Sequence, residues 1–156
     1  MAANPQPGGE GRVRRLERWA AACMLGSGAV HGILVREHLR EWWGYGAFFA
    51  VAATVQAVWA LALWTDAINP TDTGPRWRTG KLWLYGLGVL GNLFLVVLYV
   101  VTRTVGIPLL GPGAGEVEAV GAVDILSKAL ELAAGAILAV LWRRLRASSA
   151  LARTPI

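Results

Sequence analysis

The most regular feature of the chain is a succession of four long apolar stretches separated by polar connections. The stretches cover residues 19–35, 43–64, 82–102 and 120–142. A hydrocarbon layer about 30 Å thick needs about 20 residues at about 1.5 Å of helical rise each, so each stretch is predicted to cross it. Because lipid offers no partner to a backbone amide, the stretches are predicted to be helices. The expected fold class is therefore all-α, a four-transmembrane-helix antiparallel bundle.

Composition agrees with a membrane protein that has one domain. Hydrophobic residues make up 55% of the 156 residues and charged residues only 16%, which is typical of membrane rather than soluble chains. The four-helix domain is expected to cover residues 12–146. Residues 1–11 are rich in proline, glycine and polar residues and are predicted to form a disordered tail. Residues 147–156 are expected to form a cytoplasmic tail.

The basic residues predict the topology. Of the 15 Lys and Arg residues, 11 flank the apolar stretches on one side: Arg12, Arg14, Arg15, Arg18, Arg76, Arg78, Lys81, Arg143, Arg144, Arg146 and Arg153. The opposite connections carry only Arg36, Arg40 and Arg103, together with several carboxylates. Short loops rich in Lys and Arg stay in the cytoplasm, so both termini are expected inside, in a multi-pass protein of the cell (plasma) membrane. Lipid headgroups account for the net charge of +5 without nucleic acid as a partner.

Tryptophan supports the same orientation. Trp19, Trp64, Trp83 and Trp142 fall at the expected inner boundary, and Trp42 and Trp43 at the outer one. An indole ring has a large apolar face and one N–H donor, so it favours the headgroup level.

Ionisable residues inside the fourth apolar stretch are the main candidates for a site. Asp124, Lys128 and Glu131 are spaced i, i+4 and i+7 and therefore share one helical face. His31 is expected at the depth of Lys128, so helices one and four should face each other. Charged groups at such depth require partners or water and often mark a binding or ion site. Asn92 in the third stretch is a further candidate for such a site, although Asn92 and Gln56 also fit simple hydrogen bonding between helices.

The third connection predicts a lid over the outer end of the bundle. Pro108, Pro112 and several glycines end the third helix after Arg103, while Ile107, Leu109 and Leu110 are too apolar for a freely solvated linker. The outer rim and lid are expected to contain Glu37, His38, Arg103, Glu116 and Glu118.

Cofactor chemistry is left open by the sequence. The metal is unknown, and His38, Glu37 and Glu116 are the candidate ligands because nitrogen and carboxylate groups suit zinc or a similar ion. The pattern argues against a haem, because His31 and His38 lie on one helix and cannot bind one iron from opposite sides. Cys23 is a lone cysteine, so no internal disulfide is expected.

Two segments of the chain resemble known membrane proteins. The segment "EHLREWWGYGAFF" begins the second helix, and an Arg-Thr-x-Gly-x-Pro segment is followed by Gly-Pro and Gly-Glu-x-Glu-x-x-Gly-x-x-Asp. Across residues 31–49 and 102–131 the chain resembles small four-helix bacterial integral membrane proteins. The resemblance implies the fold and carries no catalytic or transport residue.

Two functions remain open from the sequence. The preferred interpretation is an accessory or structural membrane protein, a subunit of a complex or a homo-oligomer, whose partners are the lipid bilayer and other membrane subunits or itself. The alternative is binding or transport of a proton, cation or small solute through the His31, Asp124, Lys128 and Glu131 cluster beneath the lid. The chain has no glycine-rich phosphate loop, nucleophile elbow or paired aspartate motif, so an enzyme is not the preferred interpretation and no catalytic or cofactor-binding residue is predicted.

Overall fold

The computed structural model describes residues 7–65, 75–107 and 111–151. They form four α-helices: α1 (Pro7–Glu41), α2 (Trp43–Trp64), α3 (Pro75–Thr104) and α4 (Ala122–Leu151). No strand occurs in these residues. The all-α expectation is therefore confirmed for the described part of the chain.

Three of the four helices are long and apolar enough to cross a membrane. The candidate spans are Trp43–Trp64, Trp77–Thr104 and Ala122–Ser148. Helix α1 is not among them, so length and hydropathy support three of the four expected spans. The apolar stretch of α1 is bounded by Arg18 and Arg36 and is diluted by Ser27, His31 and glycines, which leaves it the most polar of the four.

The helices extend beyond the apolar stretches from which they were predicted. Helix α1 begins at Pro7, inside the segment expected to be a tail, and α4 continues past residue 146 to Leu151. The added turns are rich in Arg, Leu, Glu and Ala, which favour helix and need no apolar environment to do so. The rest of both expected tails, most of the second connection and residues 108–110, including Leu109 and Leu110, lie outside the described residues.

Neighbouring helices run in opposite directions. Helix α1 packs against α2 and α4, and α3 packs against α4. Arg78 at the start of α3 bonds to Ser148 near the end of α4, whereas Arg103 at the end of α3 bonds to Asp124 at the start of α4. We call the end that holds Arg103 and Asp124 the loop end, and the end that holds Arg78 and Ser148 the terminal end.

Helices α1 and α2 are joined at the loop end by a corner of one residue. Trp42 is extended, with φ −166° and ψ 138°, and its amide still donates to the carbonyl of His38 at 3.0 Å. The two helices then cross so closely that a Cβ on Gly46 would lie 2.2 Å from Cγ of Leu39. Only glycine permits this approach, which sets the position of α2 beside α1.

The distribution of polarity is inverted relative to a soluble protein. The outward faces carry large apolar side chains, among them Ile33, Val51, Leu61, Leu90 and Leu132. The described interior contains buried polar side chains: Glu17, Ser27, His31, Gln56, Lys81, Asn92, Ser127 and Glu131. Water would make such an apolar exterior prone to association, whereas a lipid environment solvates it and drives polar groups inward.

Candidate functional site

A carboxylate oxygen of Glu131 is the centre of a buried polar layer that joins three helices. Oε1 of Glu131 lies 2.9 Å from Nε2 of His31 and accepts from Ser27 Oγ at 3.0 Å and Ser127 Oγ at 3.2 Å. The amide of Gln56 donates to Ser27 Oγ at 3.1 Å and so brings α2 into the layer. The spacing of four residues between Ser27 and His31, and between Ser127 and Glu131, puts each pair on one helix face. The expected approach of α1 and α4 at His31 and Glu131 is therefore confirmed.

The second oxygen of Glu131 forms an ion pair within α4. Nζ of Lys128 lies 2.6 Å from Oε2 of Glu131, in ion-pair contact but without hydrogen-bond alignment. The same ammonium lies over the ring of Tyr99, 5.6 Å from its centre. Glu131 is fully buried, and the ammonium beside it offsets part of the free-energy cost of burying a carboxylate.

A cavity of about 480 Å³ lies between the four helices at the loop end, next to this layer. Its volume falls within the range of about 300 to 1,000 Å³ common for small-molecule sites. Its wall combines aromatic rings with polar groups. The rings are those of Trp42, Tyr45, Phe48, Phe49, Phe94 and Tyr99, and the polar groups include His31, Glu37, His38, Arg103, Asp124 and Lys128.

Three residues on the cavity wall carry a buried polar atom without a hydrogen-bond partner in the described part of the chain: Nδ1 of His31, the hydroxyl of Tyr99 and Nε of Arg103. The guanidinium of Arg103 is already paired with Glu118 and Asp124, which leaves Nδ1 of His31 and the hydroxyl of Tyr99. His31 itself is only 5% exposed. An unpartnered buried polar atom costs about 1 to 3 kcal/mol, so these two atoms are the positions where a ligand would gain most.

The described parts of the lid, residues 105–107 and 111–118, are held to the helix ends by their backbone and by Arg103. The amide of Glu118 donates to the carbonyl of Thr102 at 3.2 Å, and Arg103 pairs with both Glu118 and Asp124. Where the lid crosses α2, a Cβ on Gly111 would lie 2.4 Å from the hydroxyl of Tyr45. The lid thus lies against α2 and α3 at the cavity mouth.

The expected metal ligands are not brought together. Nδ1 of His38 lies 2.9 Å from a carboxylate oxygen of Glu41, one turn further along α1, and the His38 ring packs on Phe49 with 4.0 Å between ring centres. Across residues 7–65, 75–107 and 111–151, no group of three or more His, Cys, Asp or Glu side chains is placed to hold a metal ion. Glu37 lines the cavity instead.

Asn92 lies apart from the cluster with which it was grouped. Its amide donates to the carbonyl of Gly88 in the same helix at 2.7 Å, and its Oδ1 has no partner among the described residues. It faces a second space, between α2 and α3.

A second buried polar cluster lies at the terminal end and was not predicted. Glu17 accepts from Lys81 at 2.6 Å and from the hydroxyl of Tyr85. In the sequence Glu17 stands among arginines and reads as part of a solvated charged turn, but its position seven residues before the buried Met24 puts it on the same face. That spacing was the available signal.

Comparison with known proteins gives no relative from which a role could be taken. No protein-family model, curated protein or solved structure matches the chain. The fold and the apolar outer surface are typical of a helical, membrane-embedded protein. Three of its helices are long and apolar enough to cross the bilayer.

Proposed function

We propose that this protein is a four-span integral membrane protein that binds a small solute in the cavity at the loop end. The observation that carries the proposal is Nδ1 of His31, an unpartnered atom of a buried side chain on the wall of a cavity of about 480 Å³. A purely structural histidine would be expected to use both ring nitrogens in the interior.

The hydrogen bonds around His31 indicate what the ligand presents. A carboxylate at Glu131 can only accept, so Nε2 of His31 is assigned as the donor to it, and the neutral tautomer of His31 is assumed for Nδ1. Nδ1 is then an acceptor, whereas the hydroxyl of Tyr99 can donate or accept. A hydroxyl group on the ligand, which also donates and accepts, matches both atoms.

The packing between the two polar clusters favours binding over conduction. Ala20, Met24, Ala134, Leu138 and Leu141 are buried between the Glu131 layer and the Glu17 cluster, and none of them lines the loop-end cavity. A proton or cation would have to cross this apolar layer, at a high cost in desolvation. Transport of either would therefore need a conformation in which α1 and α4 separate here.

An accessory or structural role remains the second candidate, and the closed ion pairs favour it. The Glu17 cluster and the Arg103 pairs with Glu118 and Asp124 satisfy charges within the chain. Such pairs lock helices together without any ligand. Under this role the apolar outer faces would contact another subunit or a second copy.

The proposed topology has α1 as the fourth span and the loop end facing outward. The exposed side chains of Trp19, Leu25 and Ile33 on α1 favour contact with lipid, and packing of α1 against α2 and α4 covers its polar face. The excess of Lys and Arg at the terminal end supports a cytoplasmic location for both termini.

Mass spectrometry of the small molecules released from the purified protein tests the proposal. We expect one class of molecule in the wild type, reduced about fivefold or more in Tyr99→Phe and in His31→Phe, because each variant loses a contact worth about 1 kcal/mol. Trp64→Phe, at an exposed aromatic side chain outside the cavity, is the control. Equal amounts of the released molecule in all four proteins would overturn the binding role. A protein partner that co-purifies in stoichiometric amount, with no small molecule bound, would support the accessory role.

A further inference from the structure

A groove between α2 and α3 continues from the loop-end cavity toward the middle of the bundle. Its volume is about 210 Å³, and its lining comes from Phe48, Val55 and Trp59 on α2 and from Gly91, Asn92 and Leu95 on α3, with Met24 of α1 at its base. Phe48, Phe94 and Leu95 line both the groove and the cavity. The two spaces therefore lie next to each other, with these three side chains between them.

The groove exists because α2 and α3 do not share an extensive interface. Close packing is found between α1 and α2, α1 and α4, and α3 and α4. Toward the terminal end the indole N–H of Trp59 donates to the carbonyl of Leu84 at 2.9 Å and closes the groove there. Toward the loop end the two helices stay apart.

The groove opens on the side that faces lipid. Val51, Val55 and Phe94 line it, and about half of each side chain or more is exposed, as is 61% of the neighbouring Leu90. In a bilayer these side chains contact acyl chains rather than water. A molecule dissolved in the membrane can therefore enter the groove without passing the lid.

Two buried amide side chains line the groove beside its apolar residues. Oε1 of Gln56 and Oδ1 of Asn92 have no partner among the described residues, although both side chains are only 3% exposed. Each oxygen is itself buried, so an apolar chain in the groove does not have to cover a water-accessible acceptor.

We infer that the ligand is a membrane-dissolved amphiphile with one hydroxyl-bearing head and one apolar chain, which enters from the bilayer through the groove between α2 and α3. The inference rests on the proposed function, because the head occupies the loop-end cavity beside His31 and Tyr99. The chain then lies along the groove among aliphatic and aromatic side chains. This arrangement matches donors with acceptors at the polar end and keeps the chain out of water.

Photolabelling in lipid vesicles tests this route. The full-length protein is reconstituted in phosphatidylcholine vesicles with a long-chain alcohol that carries a diazirine at mid-chain, with and without excess unlabelled alcohol. Gly91→Phe fills the groove from α3, where a Cβ on Gly91 meets nothing within 4 Å. Leu90→Phe adds the same ring one residue away on the lipid face and is the matched control. Val55→Phe fills the groove from α2 and keeps the test usable if Gly91→Phe fails to fold.

The inference predicts competable labelling of groove residues in the wild type and Leu90→Phe, and a loss of about fivefold or more in Gly91→Phe and Val55→Phe, equivalent to about 1 kcal/mol. Equal labelling in the groove-filling variants and Leu90→Phe would overturn it. The proposed function is read separately from His31→Phe. If that variant loses the bound molecule while the groove-filling variants retain it, the cavity binds a solute that arrives by another route. If none of the variants differs from the wild type, both proposals fail.

Discussion

At the scale of single residues, Glu131 contacts more polar side chains than the other buried polar residues described. One of its oxygens accepts from Ser27, His31 and Ser127, and the other forms the ion pair with Lys128. A group with this many partners cannot be replaced by an apolar residue without leaving donors unmatched. Lys128, in contrast, lines the cavity, and its ion pair is with the Glu131 carboxylate.

Replacement of Glu131 should therefore destabilise the protein more than replacement of Lys128. Glu131→Leu is expected to lower the free energy of unfolding by about 3 to 5 kcal/mol, since it removes the acceptor shared by Ser27, His31 and Ser127 and leaves the Lys128 ammonium without its carboxylate. Lys128→Leu should have a smaller effect, because the Ser27, His31 and Ser127 contacts to the carboxylate survive. Reversible unfolding in mixed micelles measures both. A larger loss of stability in Lys128→Leu would show that the ion pair with Lys128 stabilises the fold more than the three hydrogen bonds to Glu131 do.

The Glu17 cluster allows a similar comparison away from the cavity. Lys81→Met leaves the buried Glu17 carboxylate without its cation and should cost about 3 to 5 kcal/mol of stability. Tyr85→Phe removes one hydrogen bond from the same carboxylate and should cost about 1.5 to 3 kcal/mol. The same unfolding measurements apply. Tyr85→Phe should retain the bound solute, and loss of that solute would contradict the separation of the two clusters.

At the scale of the elements, the apolar stretches were sufficient to locate the helices but not to bound them. Burial in lipid selects apolar residues, so hydropathy identifies the membrane-exposed part and misses the helical turns on either side, such as Pro7–Arg18 and Arg36–Glu41 in α1. The same argument predicted His31 near Glu131, because both are expensive to leave in lipid. Ser27 and Ser127 were not predicted as their partners, since small uncharged residues carry little cost in lipid and so give little signal. The expected hydrogen bond of Gln56 to another helix is confirmed by its bond to Ser27.

The lid depends on the backbone conformation at Gly106. Its φ is +73°, and a Cβ there would lie 2.6 Å from the carbonyl oxygen of Glu116. Gly106→Ala is therefore expected to detach the lid, and hydrogen exchange at the amides of residues 115–118 should become faster. Gly113→Ala is the matched control, because a Cβ there meets only ordinary contacts. Unchanged exchange in Gly106→Ala would mean that Arg103 alone holds the lid.

At the scale of the whole molecule, the exterior is apolar and the interior holds two polar clusters separated by an apolar layer. Orientation in the membrane is the property that this fold alone does not reveal. The four-helix packing is the same whichever end faces the cytoplasm. The charge asymmetry between the two ends is what sets the expected direction.

A reporter protein fused after the last residue should therefore be active only in the cytoplasm. The same result is expected for a reporter fused before Met1, because four spans return the chain to its starting side. Reporters that require the cytoplasm or the exterior measure this directly. Activity of the two fusions on opposite sides would indicate three spans, with α1 outside the membrane.

The pairing of the first helix with the last has a consequence for biogenesis. His31 and Glu131 are 100 residues apart in the chain, so α1 leaves the ribosome long before its partner exists. Helix α1 is also the one least able to enter lipid by its own hydropathy. Until α4 is synthesised, Ser27 and His31 must be sheltered by α2, by water or by the insertion machinery. A chain interrupted before α4 should thus be a substrate for quality-control proteolysis, because under the proposed four-span topology insertion of the first helix is completed only when the last one is made.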